Sequence, residues 1–145
     1  MINQYMAKFM NQKNDIINKL RGSGLRPTKQ RILIAENLFE NNKTFHFTID
    51  SLNKKISKKG NGKISLATIY NTVEAFTEAG YLKEILTSKN KSYYDTNIKS
   101  HHHFYDEGTK ELTDINYNQV KLSKVPIPPK GKKIKNLEVV IRVQK

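Results

Sequence analysis

Residues 62–103 carry, without interruption, a helix-period apolar pattern, a short basic hairpin pattern and three consecutive histidines. That order restricts the fold strongly, because each piece needs a different local structure to present it. In residues 65–76, Leu66, Ile69, Val73 and Phe76 recur at helical spacing and predict the inward side, leaving Ala67, Thr68, Asn71 and Ala75 outward with Tyr70 and Thr72 flanking them. The outward side is small and polar, with no charge before Glu74. A solvated helix ordinarily places Lys and Glu at such positions. Short side chains with hydrogen-bonding tips suit close approach to base edges in a DNA major groove.

The chain before this stretch is helical in pattern. Ile16, Ile17 and Leu20 form a short amphipathic segment that Gly22, Ser23 and Gly24 end. A second helix is predicted from Pro27 and Thr28, with Ile32, Ala35, Leu38 and Phe39 inward and Asn41 and Asn42 as the stop. Thr48 suits the cap of a third helix over Ile49, Leu52 and Ile56, and residues 58–62 break the chain before Ser65 caps the fourth. Helix, glycine-containing turn, helix is the helix-turn-helix arrangement. Gly80 closes the fourth helix, and residues 81–86 and 92–94 predict two strands around Ser88, Lys89, Asn90 and Lys91, a wing with a basic tip.

After Asp95 the pattern changes to strands, at residues 101–106 and 111–115 with a turn at Glu107 and Gly108. Val125, Pro126, Ile127, Pro128 and Pro129 predict an extended connector, since three prolines remove three donors. Leu137, Val139, Ile141 and Val143 then alternate against Glu138, Val140 and Arg142, the period of a half-buried strand. So little sheet buries little surface, so a second copy of the chain is expected to complete it. The fold class is α+β: a winged helix-turn-helix DNA-binding domain over residues 1–95 and a small α/β dimerisation and sensing domain over residues 96–145.

The chain contains no cysteine, which excludes disulfides and cysteine-bound structural zinc and leaves His, Asp and Glu as metal donors. Its net charge is +13, with 16 basic against 8 acidic residues through Ile98 and 10 against 5 thereafter. A polyanionic partner fits that excess. The richness in Lys, Asn and Ile, which an AT-rich genome imposes on any protein, discounts the signal. No apolar run approaches a membrane span or a signal-peptide core, so a soluble, cytoplasmic protein without membrane contact is expected.

His101 and His103 lie two apart on a predicted strand and so share a face, with His102 on the other. Three of the four histidines stand in this run. Asp95 precedes it, Asp114 lies on the next strand and His46 stands at the helix-turn-helix entrance. Mixed imidazole and carboxylate donors suit a divalent first-row metal, with Zn, Mn and Fe(II) all compatible. Tyr93, Tyr94, Phe104 and Tyr105 bracket the run; they are core by default, and a hydrophobic wall beside His102 also suits a haem with an imidazole axial ligand.

The chain resembles the ferric uptake regulator family, and within it the iron response regulator branch. Residues 24–31 (Gly-Leu-Arg-Pro-Thr-Lys-Gln-Arg) are similar to the family's opening motif, and residues 64–72 (Ile-Ser-Leu-Ala-Thr-Ile-Tyr-Asn-Thr) to its recognition helix. The branch pieces are Tyr94-Asp95-Thr96-Asn97, His101-His102-His103-Phe104-Tyr105, the proline segment, and Glu138-Val139-Val140-Ile141-Arg142. The resemblance covers nearly the whole chain after Leu20. It implies that His46, Asp95, His101, His103 and Asp114 fall at regulatory metal positions and that His101, His102 and His103 form a haem-linked motif. The paired cysteines of many relatives and the Cys-Pro haem motif of some branch members are absent, and Asp106 replaces a commoner apolar residue.

The implied function is a homodimeric regulator of iron and haem metabolism genes that reads an inverted-repeat operator in double-stranded DNA, with its activity controlled by metal or haem. Ser65, Thr68, Tyr70 and Asn71 would face base edges; Arg26, Lys63, Lys89 and Lys91 would face phosphates. A metalloenzyme is the first rival; no His-Glu-x-x-His, phosphate loop or nucleophile beside a base supports it. A non-specific nucleic-acid-binding protein is the second, favoured by charge alone.

Overall fold

A computed structural model describes residues 3–60, 62–87 and 91–145, and the chain divides into two compact units, Met1–Ile98 and Lys99–Lys145. In the first unit, polar caps set the helix starts. Asn3 opens α1 (Gln4–Gly22), Thr28 opens α2 (Lys29–Phe39), Thr48 opens α3 (Ile49–Lys58) and Ser65 opens α4 (Leu66–Glu78). Thr28, Thr48 and Ser65 each accept a hydrogen bond from the amide three residues on. Thr48 and Ser51 complete a reciprocal capping box.

α1 begins well before its predicted apolar segment. Only Ile16 and Leu20 are buried in it, and Tyr5, Met6, Phe9 and Met10 are exposed, so helix propensity and a cap extend it where no burial period reveals it. α2 turns Ile34, Ala35, Asn37 and Leu38 inward; Ile34 replaces the predicted Ile32, which is half-buried like Phe39. α4 buries Ile69, Val73 and Phe76 as expected, with two corrections. Leu66 is half-exposed because it stands in the first turn, beyond the core, and Thr72 is buried, its hydroxyl donating to the Thr68 carbonyl. Phe76 meets Phe39 edge-on at 5.2 Å, at the centre of one apolar cluster drawn from all four helices.

Three strands complete this unit: β1 (His46–Phe47), β2 (Lys83–Leu86) and β3 (Ser92–Asp95), in the order β1-β3-β2 and antiparallel throughout. Gly80 adopts a φ of 84° after α4, a left-handed conformation that reverses the chain into β2. Ser88, Lys89 and Asn90 of the predicted basic tip lie outside the described residues.

The second unit is a sheet of β4 (His102–Asp106), β5 (Leu112–Ile115) and β6 (Val140–Val143), with β4 central. β5 pairs with it antiparallel and β6 parallel. A parallel neighbour needs a long crossover, and residues 116–139, with one 3-10 turn at Tyr117–Gln119 and the proline segment, supply it. Asp106 closes the β4–β5 turn: its Oδ1 accepts from the amides of Gly108 and Thr109 at 2.8 and 3.1 Å. An apolar residue there would leave both amides to water. No helix among the described residues is long and apolar enough to cross a membrane.

Candidate metal centre and nucleic-acid interface

The antiparallel β4–β5 register sets His103 directly opposite Asp114, and His101, two residues earlier, reaches the same face. His101 Nε2 lies 3.3 Å and His103 Nε2 3.4 Å from Asp114 Oδ1, and the donor atoms of all three residues lie within 4.8 Å of one another. Both imidazoles are buried, whereas Asp114 is exposed.

The other ring nitrogens decide what these atoms can do. His101 Nδ1 lies 2.6 Å from the carbonyl oxygen of Lys99, which can only accept, so Nδ1 carries the proton and Nε2 presents a lone pair. His103 Nδ1 lies 2.7 Å from Glu138 Oε1, and a carboxylate there holds the proton in the same place. His102 is reversed. The amide of Val139 donates to His102 Nδ1 at 3.0 Å, which leaves the proton of the neutral ring on Nε2, and Tyr117 stacks on its face at 5.3 Å. For neutral rings, two imidazole lone pairs and a carboxylate therefore converge with no proton between them. A cation resolves that convergence, and this donor set fits a divalent first-row ion.

In the first unit His46 and Asp95 are cross-strand partners in the β1–β3 ladder, with His46 Nε2 3.2 Å from Asp95 Oδ2. Asp95 is buried, and its Oδ1 accepts from the Asn97 amide at 2.8 Å. β1 is two residues long, too short to show any period in the sequence, so the pairing that orients His46 is not legible there. Glu138 likewise takes, by its place in the alternation, only an outward strand position. The general habit of ligand histidines to donate their second nitrogen to a carboxylate is the one signal pointing to it, and using that signal requires knowing that β6 lies beside β4.

The predicted DNA-facing residues sit around the start of α4. Lys63, Ser65, Tyr70 and Asn71 are exposed and Thr68 is half-buried. Ser65 and Thr68 join their hydroxyls at 2.8 Å while Ser65 caps the helix, so this pair already has local partners. Tyr70 and Lys91 line an open cleft with Thr48, Asp50, Glu84, Ser92 and Tyr94. Burial, and next the charge of Glu84, push the Tyr94 phenol above its ordinary range, so it stays neutral as a hydrogen-bonding group. Arg26 is exposed on the loop before α2, and its carbonyl accepts from Arg31 Nη1 at 3.0 Å, which pins that loop.

The Ferric uptake regulator family model matches residues 22–142. The chain belongs to the ferric uptake regulator family. Members of this family are metal-responsive transcriptional regulators that bind DNA as dimers, so the chain is a regulator and not an enzyme. Among its relatives, the peroxide-responsive repressor PerR of Staphylococcus epidermidis is 34% identical over 104 residues, covering 72% of this chain and 67% of that protein. The Vibrio cholerae ferric uptake regulator has the same fold, with a TM-score of 0.66 at 20% identity over 89% of this chain and 98% of that one. The Pseudomonas aeruginosa ferric uptake regulator, solved with manganese, gives a TM-score of 0.64 at 19% identity over 88% and 96%.

Proposed function

We propose that the chain is a sequence-specific winged-helix regulator that binds an inverted-repeat operator as a homodimer when a divalent metal ion occupies a site made from His46, Asp95, His101, His103 and Asp114. The observation that carries the sensor half is the convergence of the His101 and His103 Nε2 atoms on Asp114 Oδ1. Only five residues separate Asp95 from His101, a spacing that allows both donor groups to serve one ion. Bound metal supplies positive charge to a set of electron-pair donors. An ion drawing on both groups would restrain the DNA-reading unit against the sheet unit, which makes metal level a control on operator affinity.

In the reading half, Ser65, Thr68, Tyr70 and Asn71 face base edges and Arg26, Lys63, Lys89 and Lys91 face phosphates. Iron and haem metabolism genes are the targets implied by the branch resemblance. The name of the staphylococcal relatives favours an oxidant-responsive set instead. Haem fits this geometry less well than a bare ion, because His102 is buried with its Nδ1 bonded and its Nε2 protonated.

The test uses an operator selected by the protein from random duplexes. Tyr70→Ala should weaken operator binding by at least about tenfold more than random-sequence binding. Equal losses on both would reject α4 as the reader. Lys91→Ala should lower both affinities and reduce the salt slope by about one. Repeating the titration with Fe(II), Mn(II) or Zn(II), with and without peroxide, separates the two target sets: loss of Fe(II)-dependent binding on peroxide treatment supports the oxidant reading, and indifference to peroxide supports the iron reading.

A further inference from the structure

The second unit holds a carboxylate that the ligand set does not use. Glu138 precedes β6, its side chain is 18% exposed, and its Oε1 lies 2.7 Å from His103 Nδ1. We propose that Glu138 is a positioning residue for the metal site: by holding the proton of His103 on Nδ1 it keeps Nε2 aimed at Asp114 as a ready lone pair. The inference rests on the proposed metal reading and adds to it a residue from the segment leading into β6, which contributes no ligand.

Three features support this role over simple charge pairing. First, the neighbouring bonds lock the geometry. The His103 amide donates to the Val139 carbonyl at 3.1 Å and the Val139 amide donates to His102 Nδ1 at 3.0 Å, so the residue after Glu138 is held to β4 from both of its backbone groups. Second, the histidine run has two tautomers set by three different acceptors or donors. His101 answers to a carbonyl, His103 to a carboxylate and His102 to an amide N–H, which makes only the first and third of the run competent ligands through Nε2. Third, a carboxylate partner does more than a carbonyl. It raises the electron-donating strength of the ring it binds, so His103 should be a stronger donor than His101.

The docking of β6 thereby enters the chemistry of the site. Because Glu138 reaches His103 only when the parallel β4–β6 pairing is made, fraying of the C-terminal strand would release the His103 ring to either tautomer. Metal affinity would then report whether β6 is docked.

The experiment uses the full chain, labelled with 15N-histidine and free of metal. Two-bond proton–nitrogen correlations should show His101 and His103 with the proton on Nδ1 and His102 with it on Nε2. Zn(II) affinity is then measured by chelator competition. Glu138→Ala should redistribute the His103 proton toward Nε2 and weaken Zn(II) binding about 10- to 100-fold. Glu138→Gln, whose amide oxygen can still accept, should keep the wild-type tautomer and lose only a small part of that affinity.

Wild-type His103 protonated on Nε2 would overturn the proposal without any variant, which covers the case of a Glu138→Ala chain that does not fold. Unchanged Zn(II) affinity in a folded Glu138→Ala chain would overturn it too, as would weaker binding with an unmoved His103 proton, the mark of a merely structural role. A wild-type chain that binds no divalent ion sinks the metal reading itself. Wild-type binding that survives Glu138→Ala sinks only the role of Glu138.

Discussion

Among the described residues, the first unit buries fourteen apolar side chains in one cluster, whereas the buried residues of the second are Tyr105, Leu112, Ile115 and three histidines. A fully buried Leu, Ile, Val or Phe stabilises a fold by about 1.5–3 kcal/mol, so apolar burial dominates the energetics of the helical unit. The sheet unit has little of that. Its buried imidazoles are tolerated because each has a hydrogen-bond partner, and such groups contribute less net stability than they contribute in directionality. The contrast separates a unit held mainly by apolar packing from one held mainly by strand pairing and hydrogen-bonded imidazoles.

The largest expected effect tests the scaffold side. Phe76→Ala removes the ring that meets Phe39 and Tyr81 edge-on, and should destabilise the first unit by about 3–5 kcal/mol in chemical denaturation. A loss below about 1 kcal/mol would mean that the cluster is not close-packed and that the two units differ less in their packing. Next comes the ligand side. Zn(II) at a hundredfold excess over its Kd should stabilise the site by about 2.7 kcal/mol, and hydrogen exchange should place the larger slowing in β4 and β5. Equal slowing in α2 and α4 would break the distinction between the units.

A smaller effect probes local chemistry. Thr48→Ala removes the side-chain half of the α3 capping box and should cost about 1 kcal/mol, confined to the first unit and insensitive to metal. The smallest involves Glu36, whose carboxyl is raised above its ordinary range by burial and then by Glu40. A carboxyl raised in the fold binds more protons there than when unfolded, so its stabilising effect is present at low pH and lost as pH rises past 4.5 through the folded value. Glu36→Gln should flatten that decline and slightly raise the thermal midpoint at neutral pH. An unchanged pH profile would show the carboxyl to be solvated.

Much of this contrast is legible in the amino-acid pattern. The spacing of Ile69, Val73 and Phe76 predicts the buried side of α4, and Thr28, Thr48 and Ser65 mark helix starts, because periodicity and capping are local and act through residues three or four apart. The pairing of His101 with His103 on one face follows from the two-residue repeat of a strand. Leu66 and Thr72 depart from the pattern. A helix end and a hydroxyl bonded to its own backbone both override the apolar period.

Sequence alone determined the family, the order of the four helices and of the strands that follow them, the caps at Thr28, Thr48 and Ser65, and the identity of the histidine run, since each depends on residue type and short-range spacing. Tertiary structure decided the rest. That His46 faces Asp95, that Asp114 stands across from His103, that β6 runs parallel beside β4 and brings Glu138 to an imidazole, and that His102 holds its proton on the opposite nitrogen are all set by strand register and neighbour choice. Those depend on which distant segments lie together, and a hydrogen bond spanning 35 positions leaves no period in the chain to find it by.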